Sequence, residues 1–216
     1  MRVVVLLISV YLVNAEYNLS NDVGPRRARR YVLARRKWDY DVLTWRLHSD
    51  NIAESDRFII RSTLHRAFSA WSSVSSLKFI ELTSEQKGIA DLSISFLKGR
   101  HGDELPFDGP DGIVAHAFYP TVGVLHFDAD EKWTLNRDDG INLYQTALHE
   151  IGHLLGLEHS TDPRAVMFPK NRPFNPGFEL ADDDVRGIRR LYAPPKHRLE
   201  STRLFSKLIA QDLKKL

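Results

Sequence analysis

The stretch that decides the fold is HEIGHLLGLEH, residues 149–159. On a helix with about 3.6 residues per turn, His149 and His153 project from one face a turn apart, so both imidazoles can bind one metal ion. Gly156 lets the chain leave the helix in a left-handed conformation, and the turn that follows can bring His159 to the same ion. The spacing therefore predicts a metal site with three histidine ligands.

The ligand count and the residue next to the first ligand indicate what this site does. Three protein ligands leave the fourth position of a zinc ion open to water, whereas a structural zinc is closed by four. Glu150 lies where its carboxylate can reach that water without binding the metal, which favours hydrolysis with Glu150 as general base. H-E-x-x-H also occurs on ordinary amphipathic helices, but here Gly156, His159 and a later Met167 extend the pattern.

With these extensions the sequence resembles the matrixins, the matrix metalloproteinase family within the metzincins, over most of residues 31–193. Ser160 is the matrixin residue after the third histidine, and Met167 matches the Met-turn methionine, a hydrophobic floor beneath the zinc. An ordinary core methionine is the rival interpretation. The resemblance implies a secreted zinc metalloendopeptidase of α+β class: a metzincin (zincin) catalytic domain with a twisted, mixed, mainly parallel five-stranded sheet and three helices.

The resemblance also implies a second, structural zinc site, which four protein ligands would close. Its ligands, three histidines and one aspartate in the family's order, are His101, Asp103, His116 and His126. The other three histidines are interpreted as ordinary surface or core residues: His48, His65 and His197.

At least one calcium site is implied by two acidic segments, residues 107–113 and 127–131. The expected ligands are the carboxylates of Asp108, Asp128 and Glu131 and the backbone carbonyls of Gly109, Asp111 and Ile113. Oxygen-only ligation suits calcium, although solvated acidic turns would have a similar composition. The family's further calcium site is not expected, because residues 119–126 are short and lack an aspartate before the histidine, although Asp91 matches one of its ligands.

The amino-terminal residues predict export and processing. Residues 1–15 have the charged, apolar and small-residue order of a signal peptide, and their apolar run is about half the ~20 residues of a membrane span, so a permanent anchor is the weaker alternative. Residues 16–30 form a short propeptide with a glycosylation triplet at Asn18. They end in the basic run 26–30, where cleavage after Arg30 is expected and a solvated basic tail is the alternative.

Several features depart from ordinary matrixin organisation. The chain has no cysteine, so no thiolate can cap the zinc. We expect instead that cleavage at Arg30 frees an amino group at Tyr31 that pairs with Asp183, the first of two matching aspartates. No haemopexin-like repeats are expected after Ala193, and residues 194–216 form a basic amphipathic tail that either packs loosely or weakly contacts a membrane or a partner.

Substrate choice is then expected to rest on the cleft. Gln145 occupies a position that often lines the family's specificity pocket and is usually apolar there. The resemblance implies protein or peptide substrates, of the extracellular matrix or secreted, with a large hydrophobic residue after the scissile bond.

Composition is consistent with one catalytic domain over residues 31–193, in a chain of 216 residues with 43% hydrophobic residues. A net charge of +2 gives no reason to expect a nucleic-acid partner. Two alternatives stay open, a metzincin outside the matrixins and a catalytically silent metal-binding module. Periodicity and end signals predict strands near 42–47, 78–82, 91–96 and 125–127. They also predict three helices: one that begins at a Ser55 cap, one over 141–155 and one over 182–192.

Overall fold

The computed structural model describes residues 32–34, 36–83, 85–170 and 172–194. The predictions for the signal peptide, Asn18, Arg30, Tyr31 and the tail from residue 195 lie outside these residues. Among the helices of the described part, none is long and apolar enough to cross a membrane.

A five-stranded sheet forms the framework, in the order β2-β1-β3-β5-β4. Its strands are β1 (Val42–His48), β2 (Lys78–Glu81), β3 (Leu92–Leu97), β4 (Ala115–Ala117) and β5 (Val124–Asp128). All neighbours are parallel except β4, which runs antiparallel to β5. The prediction of a mixed, mainly parallel sheet in an α+β domain is confirmed.

Three helices accompany the sheet, as predicted: α1 (Glu54–Val74), α2 (Leu143–Leu154) and α3 (Asp182–Leu191). The predicted Ser55 cap is wrong, because α1 begins at Glu54 and the Ser55 hydroxyl donates to Asp56 instead. The second helix starts two residues later than predicted, since residues 141–142 form the short strand β7 (Ile141–Asn142) beside β6 (Trp133–Thr134). Asn142 then caps α2 by accepting from the Gln145 amide.

Strand β4 was missed because three residues, Ala-His-Ala, are too short to show an alternating pattern. Its register with β5 places His116 directly opposite His126. The antiparallel edge of the sheet thus brings two histidines from distant parts of the chain together.

Helix α2 lies in the centre of the domain, with every residue buried except Tyr144. Two indole groups donate to its backbone: Trp71 Nε1 to the carbonyl of Leu148 at 2.9 Å, and Trp38 Nε1 to that of Leu154 at 2.9 Å. Buried tryptophans need such partners for their N–H groups. These bonds fix both the position and the rotation of the helix that carries the histidine motif.

Candidate active site

The three motif histidines converge on one point. His149 Nε2 lies 3.1 Å from His153 Nε2 and 3.3 Å from His159 Nε2. Ligand atoms about 2.05 Å from a tetrahedral zinc ion are ~3.3 Å apart, so the three nitrogens fit one zinc. Gly156, with φ of +96°, ends the helical segment and allows the turn that brings His159 back.

The other ring nitrogen, Nδ1, of each of the first two histidines is hydrogen-bonded to a backbone carbonyl. His149 Nδ1 donates to the carbonyl of Val166 and His153 Nδ1 to that of Leu157, each at 2.7 Å. Because the proton is then on Nδ1, each Nε2 presents a lone pair to the centre. Burial lowers the pKa of His149 and of His159 to about 4 and holds the pKa of His153 well below its usual value. The three imidazoles are therefore neutral ligands near neutral pH.

Glu150 is 1% exposed, and its Oε2 atom is buried without a hydrogen-bond partner. Burial alone raises the pKa of this carboxyl to about 8. A cation held by the neighbouring histidines would favour the carboxylate, since a positive charge stabilises an adjacent anion. The buried carboxylate without a partner thus fits a metal and a polar reactant beside it.

Met167 packs directly beneath the helix turn that separates the first two histidines. A Cβ atom built on Gly152 would lie 2.3 Å from Met167 Sδ and 3.1 Å from the Trp71 ring, which leaves no room for a larger residue. The carbonyl of Met167 also accepts from the Ser160 amide at 2.8 Å. This packing is compatible with the predicted Met-turn, which stays a prediction.

Two aspartates of α3 hold the loops around the site. Asp184 accepts from the amides of Val166 and Met167, at 2.7 and 3.0 Å, and so fixes the Met-turn. Asp183 is 2% exposed and accepts from the hydroxyl of Ser160 at 2.6 Å. Ser160 directly follows His159 in the sequence. The family resemblance implied two aspartates here, Asp183 and Asp184, but nothing in the sequence indicated which backbone groups Asp184 binds.

The amino-terminal segment also supports the third histidine. Leu33 pairs with Leu157 in an antiparallel bridge. The Ala34 amide donates to the Gly156 carbonyl, and the Glu158 amide to that of Val32. Residues 32–34 thus form a strand-like partner for the segment just before His159.

A second cluster brings the four predicted structural ligands together. Asp103 Oδ2 lies 3.0 Å from His101 Nε2, 2.9 Å from His116 Nε2 and 3.0 Å from His126 Nδ1. These distances are close to the ~3.3 Å ligand spacing of tetrahedral zinc. Burial lowers the pKa of His116, and it lowers the pKa of His126 to about 4, so the contacts of these two histidines with Asp103 are not ion pairs at neutral pH. Imidazoles gathered around one carboxylate oxygen fit a shared cation.

The acidic segments lie against each other but form a looser arrangement. Asp108 accepts from the Ile113 amide at 2.8 Å and Glu131 from the Asp111 amide at 3.0 Å. Asp128 is fully buried, and its Oδ2 has no hydrogen-bond partner. Among groups of three or more His, Asp or Glu side chains in the described residues, only the two histidine clusters have ligand atoms that all lie within 4.8 Å of one another. The calcium site stays a prediction.

Asp91, which matches a ligand of the family's further calcium site, is occupied by protein donors. It accepts from the Tyr40 hydroxyl, the Thr44 amide and the Thr44 hydroxyl, each at 2.7 Å. These bonds link the start of β3 to β1, which is a structural role.

A cavity of about 60 Å³ opens beside His149 and Glu150, room for a few water molecules. Gln145 lines it and is buried. Its carboxamide donates to the Pro173 carbonyl at 3.3 Å and accepts from the Asn175 amide at 2.7 Å. The sequence did not indicate the two cations that also line the cavity, Lys170 and Arg172.

An α+β domain whose central helix and following turn gather three histidines over a methionine floor defines a metzincin. Residues 37–193 match the family model described as Matrixin. The chain is 46% identical over 164 residues to human (Homo sapiens) matrix metalloproteinase-20, covering 74% of this chain and 33% of that protein. It is 42% identical over 166 residues to interstitial collagenase of Oryctolagus cuniculus, covering 74% of this chain and 34% of that protein.

A third relative, human matrix metalloproteinase-16, is 40% identical over 179 residues, covering 78% of this chain and 29% of that protein. The chain belongs to the matrixins, a family of zinc metalloendopeptidases. It spans about a third of the length of the curated relatives it matches.

The contact between Gly152 and Met167 gives a test of the floor beneath the site. We expect Gly152→Ala to lower the free energy of unfolding by about 1 to 3 kcal/mol, because the added methyl group overpacks the core. Denaturant unfolding followed by tryptophan fluorescence measures it. The loss should shrink when Met167→Ala is already present.

Gly177→Ala is the matched control, since its added Cβ would meet its nearest neighbour at an ordinary 3.5 Å. It should change stability by no more than about 0.5 kcal/mol. Equal losses in the two alanine variants would contradict the packing argument.

Proposed function

We propose that this chain is a zinc-dependent endopeptidase that hydrolyses peptide bonds of extracellular proteins, with Glu150 as general base. The observation that carries the proposal is the convergence of three neutral imidazole nitrogens beside a buried carboxylate oxygen that has no partner. A structural zinc site would have a fourth protein ligand in place of that free carboxylate. His149, His153 and His159 would hold the zinc.

When bound, zinc supplies Lewis acidity, which polarises a carbonyl and lowers the pKa of water toward ~7. Glu150 accepts the proton of the attacking water and passes it to the leaving amine. Its burial matters here, because a base whose pKa lies near neutrality can both take up and release a proton during one turnover. Val166 and Leu157 keep the histidine tautomers fixed through their carbonyls.

The role of Glu150 can be tested with a quenched fluorescent peptide. Glu150→Gln should lower kcat at least ~100-fold, because the amide cannot accept the proton, while the zinc content stays that of the unchanged chain. Glu54→Gln, an exposed glutamate at the start of α1, is the control and should keep full activity.

A Glu150→Gln variant that cleaves the peptide as fast as the unchanged chain would overturn the assigned base. If the unchanged, zinc-loaded chain cleaves no peptide in a proteome-derived library, the catalytically silent module becomes the better description.

We also propose that His101, Asp103, His116 and His126 hold a second, structural zinc. Five of the six separations between the four ligand atoms lie between 2.9 and 3.5 Å. His116 and His126 lie on strands β4 and β5 of the sheet. Such a site would join the long β3–β4 loop to the antiparallel edge. It has no open position for substrate.

Metal content then distinguishes the two sites. We expect two zinc ions per chain by atomic spectroscopy, about one after His126→Ala, and about one with no peptidase activity after His153→Ala. His65→Ala removes an exposed histidine that contacts Glu81 and should keep both ions. One zinc per unchanged chain that is retained in His126→Ala would rule out the structural site.

Calcium is proposed for the segments that contain Asp108, Asp128 and Glu131, with backbone carbonyls from Gly109, Asp111 and Ile113. Burial raises the pKa of Asp128, and neighbouring carboxylates add to this, as they do for Glu131. A cation between these like charges would remove their repulsion. Gly112 suits this tight loop, because a Cβ atom there would lie 2.0 Å from the Asp108 carboxylate.

Calcium should therefore raise the Tm of the zinc-loaded chain, by an amount equivalent to ~2.7 kcal/mol at a hundredfold excess over Kd. Asp128→Asn should remove most of this gain, whereas Asp139→Asn, which changes an exposed carboxylate, should not. Differential scanning fluorimetry with magnesium as the ion control measures the effect. An equal response to both ions would contradict a calcium site.

For the remainder of the chain we propose the organisation expected from the sequence: export by residues 1–15, a propeptide over 16–30 with a sugar acceptor at Asn18, and processing at Arg30. The Glu158 amide donates to the Val32 carbonyl, and Ser160, two residues further on, donates to Asp183. This proximity supports an ion pair between a new amino terminus at Tyr31 and Asp183. Residues 194–216 would be the tail that contacts a membrane or a partner.

A further inference from the structure

Arg172 lies in the wall of the cavity beside the proposed catalytic residues. Its guanidinium donates to two backbone carbonyls of the Met-turn loop, those of Ala165 at 2.5 Å and Arg164 at 3.5 Å. It also lies over the rings of Phe168 and Phe178, 5.7 and 5.6 Å from their centroids. The cation is thus held in a fixed place by backbone acceptors and aromatic faces.

No carboxylate neutralises this arginine directly. Among the described residues Arg172 forms no ion pair, and its nearest acidic neighbours are used elsewhere. Asp184 accepts from backbone amides and Asp162 binds Arg164. Burial lowers the pKa of Arg172, and the charges of Asp184 and Asp162 offset this only in part. The desolvation of this cation is therefore compensated only in part within the protein, and an anionic ligand would compensate it further.

The cavity is lined by both apolar and polar groups, and its charged side chains are mainly cationic. Glu150 is its only acidic lining residue, while Lys170 adds a second positive charge. A guanidinium has five N–H donors in a planar fork, and the two carbonyls leave donors for a carboxylate. The Gln145 carboxamide is occupied with the backbone of Pro173 and Asn175, so it fixes the loop around Arg172 and does not compete for the ligand.

We propose that this cavity binds the side chain of the substrate residue just after the scissile bond. We propose that this side chain is acidic, above all glutamate, and that Arg172 selects it. The proposal rests on the proposed peptidase function. It replaces the expectation, implied by the family resemblance, of a large hydrophobic residue in this cavity. The aromatic rings of Phe168 and Phe178 would cover the methylene groups of the bound glutamate.

Three quenched peptides that differ only at the residue next to the scissile bond test this selection. Glutamate and glutamine have the same shape, so the ratio of kcat/KM for these two peptides reports the effect of the charge. The leucine peptide tests the hydrophobic alternative. We expect the unchanged, zinc-loaded full chain to cleave the glutamate peptide with a kcat/KM at least ~10-fold above that of the glutamine peptide, as a charge-assisted hydrogen bond allows.

Arg172→Met should bring the glutamate-to-glutamine ratio of kcat/KM to about one, because the group that recognises the charge is lost. Arg46→Met is the matched control: Arg46 also donates to two backbone carbonyls, those of Gln86 and Gly88, but it lies on β1 outside the cavity lining. Arg46→Met should keep the preference. If Arg172→Met does not fold, Arg172→Lys, which keeps the charge but not the fork, should lower the ratio without removing it.

Faster cleavage of the leucine peptide than of the glutamate peptide by the unchanged chain, or equal cleavage of the glutamate and glutamine peptides, would overturn the selection and leave the peptidase function standing. Cleavage of none of the three by the zinc-loaded chain would overturn both.

Discussion

Three imidazole nitrogens that face each other across little more than 3 Å are the constraint on which the structure depends. Their lone pairs repel, and burial removes the protons that could lie between them. Such an arrangement exists only if the surrounding protein holds each ring in place. The carbonyl of Val166 does this for His149, that of Leu157 does it for His153, and the close packing of the core around α2 fixes both.

The supporting interactions come from parts of the chain that are far apart in sequence. Trp71 of α1 holds the helix backbone, Met167 fills the space that Gly152 leaves, and Asp184 of α3 fixes the loop that carries Met167. Each contact is local, yet together the contacts determine the direction of the lone pairs on the histidine Nε2 atoms. The buried polar network therefore orients the three nitrogens toward one point, where they would hold the proposed zinc ion.

The sequence carried the parts of the site that obey local rules. Spacing of 3.6 residues per turn placed His149 and His153, and the need for a positive φ singled out Gly156. Burial and long-range pairing carry no such local signal. Strand β4 is too short to show periodicity. The N-cap of α1 is Ala53 and not Ser55, because the helix begins earlier than expected. The position of Arg172 depends on a loop whose course is fixed by Gln145 and by Met-turn carbonyls, so only the folded chain brings it to the cavity.

Both ends of the domain meet at the turn that delivers the third histidine. Residues 32–34 are hydrogen-bonded to this turn, and the Tyr192 hydroxyl, just after α3, donates to the Leu155 carbonyl at the start of the turn at 2.9 Å. Leu191 also lies against Gly156, where an added Cβ atom would meet its side chain at 3.3 Å. A load applied to the chain at either end would therefore act on the proposed metal centre. For an engineer who attaches a tag, a surface linker or a partner domain, neither end is mechanically quiet, so each fusion needs a flexible spacer.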